Sequence, residues 1–318
     1  MKMLVSILIP CYNSEGWINQ TLESVLAQTW ERKEIIVVDD GSTDGSLAVA
    51  KSFESSSVKV ISQENRGASA ARNRAFQEAQ GDFIQYLDAD DFLAPDKIEH
   101  QVKLLCREGN SDCVASGEWG RFYHSPTEAN FIPEPVWNDM SAVDWLICSW
   151  EGGGMMHPAA WLVPRAVAEQ AGPWNEESLS LCPNDDGEYF CRVVLASKEV
   201  KFCPGAKSYY RSGLSASLSG LRSPAAWESI FCSLELCTSH LLAVEDSART
   251  RHACATSFQR FIYSAYPDVP DLVQKAEAKV NSLGGSDLKP SGGSRFQFLS
   301  TLVSWKLAKH LQKLSRFP

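Results

Sequence analysis

Three carboxylates within four residues, Asp88-Ala89-Asp90-Asp91, close an apolar run, Phe83-Ile84-Gln85-Tyr86-Leu87, that reads as a buried strand. Charges this close repel one another, and a soluble protein offsets the repulsion with a bound cation, a nearby Arg or Lys, or exposure to water. A divalent metal is the first chemistry such a cluster suggests. The alternative is an acidic turn that leads through Asp91-Phe92-Leu93-Ala94-Pro95-Asp96-Lys97 into the next helix. A second acidic pair, Asp39-Asp40, ends another apolar run and precedes Gly41-Ser42, a pattern that an Asx turn or helix cap also explains. A third group, Asn184-Asp185-Asp186-Gly187-Glu188, follows Pro183 and fits the acidic start of a helix, with Arg192 four residues beyond Glu188.

The elements that must position these groups alternate strand and helix. Val5–Pro10, Glu34–Val38, Val58–Ile61 and Phe83–Leu87 read as strands; Trp17–Leu26, Ser46–Phe53 and Ser69–Ala79 read as helices between them. This spacing predicts a parallel sheet with right-handed crossovers. Ligands of such sheets bind outside the strands' C-terminal ends, where Asp39, Asp40 and Asp88 fall. From Leu105 the pattern loosens: strands are expected at Cys113–Ala115 and Ala160–Val163, and helices at Pro164–Ala171 and Asp186–Ala196. Beyond Ser223 the segments read as helical, and the Gly/Ser runs at 282–286 and 290–294 read as a linker.

Of 318 residues, 44% are hydrophobic and 22% charged, as in ordinary globular chains, and the net charge of −9 argues against a nucleic-acid partner. No stretch approaches the roughly 20 apolar residues of a membrane span. Ten cysteines without a C-x-x-C pair or an export signal point to reduced thiols and a cytoplasmic location. Residues 295–316 carry five cations, no acid and an apolar stripe at Phe296, Leu299, Val303, Leu307, Leu311 and Leu314. They read as a basic amphipathic helix suited to an anionic membrane surface at its inner face, or to docking on protein.

Pro10-Cys11-Tyr12-Asn13, Val38-Asp39-Asp40-Gly41-Ser42-Thr43-Asp44, Asn65-Arg66-Gly67-Ala68-Ser69-Ala70-Ala71-Arg72-Asn73 and Leu87-Asp88-Ala89-Asp90-Asp91 succeed one another at strand ends. In this order and spacing they resemble the family 2 glycosyltransferases of GT-A fold, over roughly the first 100 residues. The resemblance implies an α/β, Rossmann-like mixed sheet with a C-terminal helical extension: a GT-A domain over 1–220 (nucleotide-binding half 1–105, acceptor half 106–220), the extension over 221–285, and a linker with the basic helix over 286–318. It implies inverting transfer from a nucleotide-diphosphate sugar, UDP-sugar favoured, to a hydroxyl of a glycan or lipid-linked acceptor, in cell-surface polysaccharide biosynthesis. Pro10, Tyr12, Asp39, Asp40, Arg72 and Asp88 would contact the nucleotide. Asp40 would accept the N3 proton of the base, with Tyr12 beside it. Asp90, with Asp88, would hold Mg²⁺ or Mn²⁺. The segment Asn184–Arg192 resembles the family's E-D-x-E/D-x-x-x-R segment, with Asp185 where Glu is commoner, which makes Asp186 the catalytic base. Asp185 and His157 are expected near the acceptor. A catalytically inactive sugar-nucleotide-binding or scaffolding protein on the same fold is the rival reading.

Overall fold

The computed structural model describes residues 3–107, 109–179, 183–214, 220–293, 296–298, 300 and 303–314. Strands β1 (Val5–Cys11), β2 (Lys33–Asp40), β3 (Val58–Gln63) and β4 (Phe83–Tyr86) lie parallel in the order β3-β2-β1-β4, and β8 (Val163–Pro164) adds antiparallel to β4. Helices cover both faces, which is why β1, β2 and β4 are apolar along nearly their whole length. On one face Leu8, Ile36 and Ile84 meet Ala71 and Ala75 of α3 (Ala68–Glu78). On the other, Ile7, Ile9, Ile35 and Val37 meet Ile18, Leu22 and Val25 of α1 (Ile18–Leu26) and Ile98 and Val102 of α4 (Lys97–Leu105). The chain order reverses between β1 and β4. A topological switch point therefore opens where the Tyr12 and Asp88 loops leave the sheet.

A second sheet is organised by β9 (Glu199–Arg211), which pairs antiparallel with β5 (Phe92–Leu93) and β7 (Met140–Ser141) and parallel with β6 (Val114–Phe122). The β6–β9 register slips after Gly117, as the pairing jumps from Cys203 to Lys207. Gly117 permits this, since a Cβ there would stand 2.3 Å from the Ala206 carbonyl oxygen. The sequence pattern does not reveal β9, because Pro204-Gly205 interrupt its alternation. Of the strand expected over Ala160–Val163, Leu162 bridges Ala115 and Val163 begins β8, whereas Ala160 closes a 3₁₀ turn, Pro158–Ala160. Pro158 cannot donate to a ladder, and Gly or Pro at such points breaks strand pairing.

Helices α6 (Arg165–Ala171) and α7 (Asp185–Ala196) pack on the α3 face, and α5 (Ala142–Cys148) joins them. Helices α8 (Pro224–Val244), α9 (Ala248–Ala265) and α10 (Pro270–Ser282) gather around Trp227, Phe231, Phe258, Phe261 and Val273. Cys237 and Leu241 of α8 and Cys254 of α9 reach into the core shared with α7, so this bundle is packed onto the sheet domain. Among the described residues no helix is long and apolar enough to cross a membrane.

The C-terminal segment departs from one continuous free helix. Residues 303 and 304 are non-helical, and the helix Trp305–Leu314 follows them and lies against the bundle. Trp305 sets its edge to Tyr263 and Tyr266, with ring centroids 4.9 and 5.3 Å away. Lys306 Nζ reaches Glu277 Oε1 at 2.8 Å, Lys309 Nζ bonds the Tyr263 carbonyl, and Ala308 is fully buried. Two of the expected surface cations thus face protein, whereas Leu307 and Leu311 of the expected stripe point outward. Leu299, Leu314 and Arg316 of that reading lie outside the described residues or side chains. Trp305→Ala removes both aromatic edge contacts and is expected to cost about 1–3 kcal/mol, read as a lower denaturation midpoint. An unchanged midpoint would show that the helix is not docked.

Candidate active site

Arg72, on the buried face of α3, forks between two acidic loops. Its Nη2 donates to Asp88 Oδ1 at 2.8 Å and its Nη1 to Asp185 Oδ2 at 2.7 Å. The guanidinium lies 4.3 Å from the Trp174 ring centre, and Trp174 in turn stacks on Tyr189 at 4.1 Å. Only 5% of Arg72 is exposed, so it does not reach into the cleft toward base or diphosphate as the sequence suggested. It joins the end of β4 to the start of α7. The carboxylates on both sides hold the guanidinium charged despite its burial.

The Trp174 turn is tied to the same helix. Asn73 accepts from Trp174 N at 2.8 Å and donates to Trp174 O at 2.9 Å and to Glu176 Oε1 at 2.7 Å. Arg192 clasps the other side of that turn, donating to Ala171 O and Pro173 O while pairing with Glu188 at 2.7 Å. The Glu188–Arg192 spacing is therefore a device that anchors α7 to the chain before it.

Asp185 is buried under Arg72 and is not among the residues that line the neighbouring cavity. Asp186 is. Its backbone N–H donates to Asp185 Oδ1 at 2.8 Å, and its own Oδ1 accepts from Gly187 N at 2.9 Å. Burial and the adjacent Asp185 push the Asp186 carboxyl up to about 7, with Arg72 opposing. A carboxylate so placed exchanges its proton near neutrality, as a general base must.

The Asp88–Asp91 loop divides into two parts. Asp91 is buried, with Oδ1 accepting from Arg211 N at 2.8 Å and Oδ2 bonded to His157 Nδ1 at 3.1 Å. His157 Nε2 pairs with Ser208 Oγ at 2.8 Å. Burial lowers the His157 pKa to about 3, so the ring is neutral, with Nδ1–H donating to Asp91 and Nε2 accepting from Ser208. His157 was expected at the acceptor; it is 1% exposed and instead anchors the acidic loop. Arg211 completes the anchor: its Nε donates to Asp90 O at 3.0 Å, and Trp17 and Phe122 lie under its guanidinium at 4.2 and 4.6 Å. Ser208 and Arg211 escaped the sequence reading because they sit on β9. The aromatic run Tyr209-Tyr210 was the one available signal for a strand there.

The Asp90 carboxylate and the second carboxylate oxygen of Asp88 have no hydrogen-bond partner in another residue among those described. Burial and the charges of Asp91 and Asp88 raise the Asp90 pKa well above the usual carboxylate range. Among the described residues no three His, Cys, Asp or Glu side chains converge on a point that would hold an ion. Two crowded carboxylates still fit a hard cation that completes its shell with phosphate oxygens and water, as Mg²⁺ commonly does.

On the other side of the switch point, Tyr12 stands half exposed after β1, beside the buried Pro10. Asn13 joins this loop to the next one, accepting from Thr43 N at 2.8 Å and donating its own N–H to Ser42 Oγ at 3.0 Å. Asp40 is 2% exposed and already accepts from Gln63 Nε2 (2.7 Å), Arg66 N (3.0 Å) and Gly67 N (2.7 Å). It pins the β3–α3 loop, and the base contact expected of it has to share a carboxylate already used three times. Asp39 has an oxygen, Oδ1, that is buried without a partner. Arg66 pairs with Glu176 at the surface.

A parallel sheet whose switch point is flanked by these acidic loops, with a smaller second sheet and appended helices, defines a GT-A-type domain. Solved structures of this architecture include Staphylococcus aureus TarS 1–349 in complex with UDP-GlcNAc (TM-score 0.61, 15% identity, 88% of this chain and 89% of that one). Another is the mannosyltransferase PcManGT from Pyrobaculum calidifontis in complex with GDP-Man and Mn²⁺ (TM-score 0.53, 16% identity, 100% and 89%). Residues 6–133 match the profile of glycosyl transferase family 2. Curated relatives include an uncharacterized glycosyltransferase of Haemophilus influenzae, 41% identical over 105 residues (32% of this chain, 42% of that protein). The putative teichuronic acid biosynthesis glycosyltransferase TuaG of Bacillus subtilis is 40% identical over 107 residues (33% and 42%). The chain thus matches less than half the length of these relatives, and its similarity to glycosyl transferase family 2 is carried by residues 6–133.

Arg72→Met leaves the buried Asp185 carboxylate and the partly exposed Asp88 carboxylate without their shared counterion and is expected to cost about 3–5 kcal/mol. Arg72→Lys keeps the charge but not the fork and should recover only part of the loss. Urea denaturation of the two variants tests this. Wild-type stability in Arg72→Met would refute the role given to the fork.

Proposed function

We propose that the protein is an inverting, metal-assisted glycosyltransferase that moves a sugar from a nucleoside diphosphate sugar to a hydroxyl acceptor. The observation that carries this reading is the single Arg72 fork that sets the acidic loop after β4 beside Asp186, whose carboxyl is poised near 7. Tyr12 flanks the base, and the loops bearing Pro10, Asp39 and Asp40 shape its pocket. UDP-GlcNAc in TarS, and GDP-Man with Mn²⁺ in the archaeal mannosyltransferase, support a nucleotide-sugar donor.

Asp90, with the free oxygen of Asp88, would hold Mg²⁺ or Mn²⁺. When bound, the cation supplies positive charge against the departing diphosphate. Asp186 accepts the acceptor's hydroxyl proton as that oxygen attacks the anomeric carbon opposite the leaving group. The teichuronic acid assignment of the Bacillus relative supports a place in cell-surface polymer synthesis. Among the described residues of the terminal segment, Phe298, Leu307 and Leu311 are the exposed apolar side chains that a membrane surface would meet.

A transfer assay over a panel of UDP- and GDP-sugars with Mn²⁺ tests the proposal. Asp186→Asn is expected to lower transfer by about 10²–10⁴-fold and leave UDP binding in place. Asp90→Ala should weaken Mn²⁺-dependent UDP binding, as chelation should in the wild type. Activity undiminished in both variants would leave a binding protein on the same fold.

The ionised form of Asp186 is the active one. The group's pKa is raised to about 7, so kcat/KM should rise with pH below that value and level off above it. A rate that instead falls as pH increases through this range would exclude Asp186 as the base.

A further inference from the structure

Asp186 stands on the wall of a cavity of about 460 Å³ formed where α5, α7, α8 and α9 meet. That volume is in the range of small-molecule sites. Most of the lining is aromatic or aliphatic, with Trp145, Trp161, Phe190, Trp227, Ile230 and Phe261 as its bulk. A bare sugar would leave many of its hydroxyls against these faces, and each polar group that loses water without gaining a partner is a cost. An apolar body gains from the same burial.

Two cations line the cavity: Arg222, whose guanidinium lies over Trp227 at 5.5 Å and donates to the Leu221 carbonyl at 2.7 Å, and Arg260. Arg260 lines the cavity at its exposed edge and donates Nη1–H to the Trp150 carbonyl at 3.1 Å. Partial burial lowers its pKa, and among the described residues no acid forms an ion pair with it. Arg66, Arg72, Arg192 and Arg249 differ, each being paired with an acid at 2.8 Å or less. A guanidinium without a counterion beside an apolar cavity is a receptor for an oxyanion carried by an apolar ligand.

We infer that the acceptor is an amphipathic molecule with three parts: an apolar body that fills this cavity, a hydroxyl that meets Asp186, and a carboxylate or phosphate that meets Arg260. The inference rests on Asp186 acting as the base of the proposed transfer. In that step the acceptor oxygen bonds to the anomeric carbon as the bond from that carbon to the diphosphate oxygen breaks. The hydroxyl proton passes to Asp186, and the electron pair leaves with the nucleoside diphosphate. The extension's contribution is then chemical as well as structural, because α8 and α9 supply the wall that selects the apolar body.

The test uses the full chain and titrates three probes by tryptophan fluorescence or calorimetry: 12-hydroxydodecanoate, dodecan-1-ol and maltose. The hydroxy acid should bind at least about tenfold more tightly than either of the others. Arg260→Gln should bring it to within about twofold of dodecan-1-ol, while the alcohol's own affinity stays unchanged. Ile230→Glu should weaken the hydroxy acid about tenfold or more, and Ser257→Phe, which fills the cavity without adding charge, should do the same if the first variant does not fold. Equal affinity for acid and alcohol, tighter maltose binding, or an Arg260→Gln variant indistinguishable from wild type would each overturn the inference. UDP binding measured in parallel separates the two readings: a chain that binds UDP but not the hydroxy acid refutes this acceptor and leaves the transferase proposal standing.

Discussion

The guanidinium of Arg72 is the point on which the site depends. Two carboxylates from segments almost a hundred residues apart, Asp88 and Asp185, would repel if brought together alone, and burial would raise the cost further. One planar cation with two parallel donor edges converts that repulsion into a bridge. The bridge sets the relation between the sheet's switch point and the helix that carries Asp186. Trp174 covers the guanidinium, Asn73 fixes Trp174 from both sides, and Arg192 fixes the turn behind it. Each layer keeps the next from yielding to solvent.

The electrostatics of the acidic loops follow from this arrangement. Asp185 spends its charge on Arg72, and its nearness pushes the Asp186 carboxyl toward neutrality. Asp91 is buried against a neutral imidazole and a backbone N–H, and contributes its charge to Asp90 as repulsion. Within the tetrapeptide the labour is thus divided, with Asp91 turned inward and Asp90, together with one oxygen of Asp88, left for an external partner. In two places, Arg72 and Asp40, a residue to which the sequence assigns a ligand contact is already engaged by the protein.

The parallel sheet was legible because β1, β2 and β4 are buried on both faces and read as nearly continuous apolar runs. The helices between them were legible through their spacing. The chemistry at the strand ends was legible as residue types but not as assignments. Whether Arg72 points at a ligand or at Asp185 depends on a contact spanning 113 residues, which no local pattern encodes. His157 was misplaced for the same reason, since its partners Asp91 and Ser208 come from two other segments. The strand β9 was hidden by Pro204-Gly205, and with it Arg211. The terminal helix was legible as amphipathic, but the sequence did not say which of its faces the bundle takes, and Lys306 and Lys309 turned out to serve the docked one.

The anchoring of Asp91 has a consequence for the entropy of ligand capture. A loop with three adjacent carboxylates would ordinarily be spread over many conformations, and a ligand would have to absorb the entropy of ordering it. Here Ser208, His157 and the main chain of Arg211 hold Asp91, and the Arg72 guanidinium holds Asp88, so the protein ties the loop at both ends. Part of its charge is neutralised by Arg72, and burial with the neighbouring carboxylates raises the Asp90 pKa well above the usual range, so a bound cation would also favour the ionised form. A ligand meeting such a loop has little of that ordering entropy left to absorb.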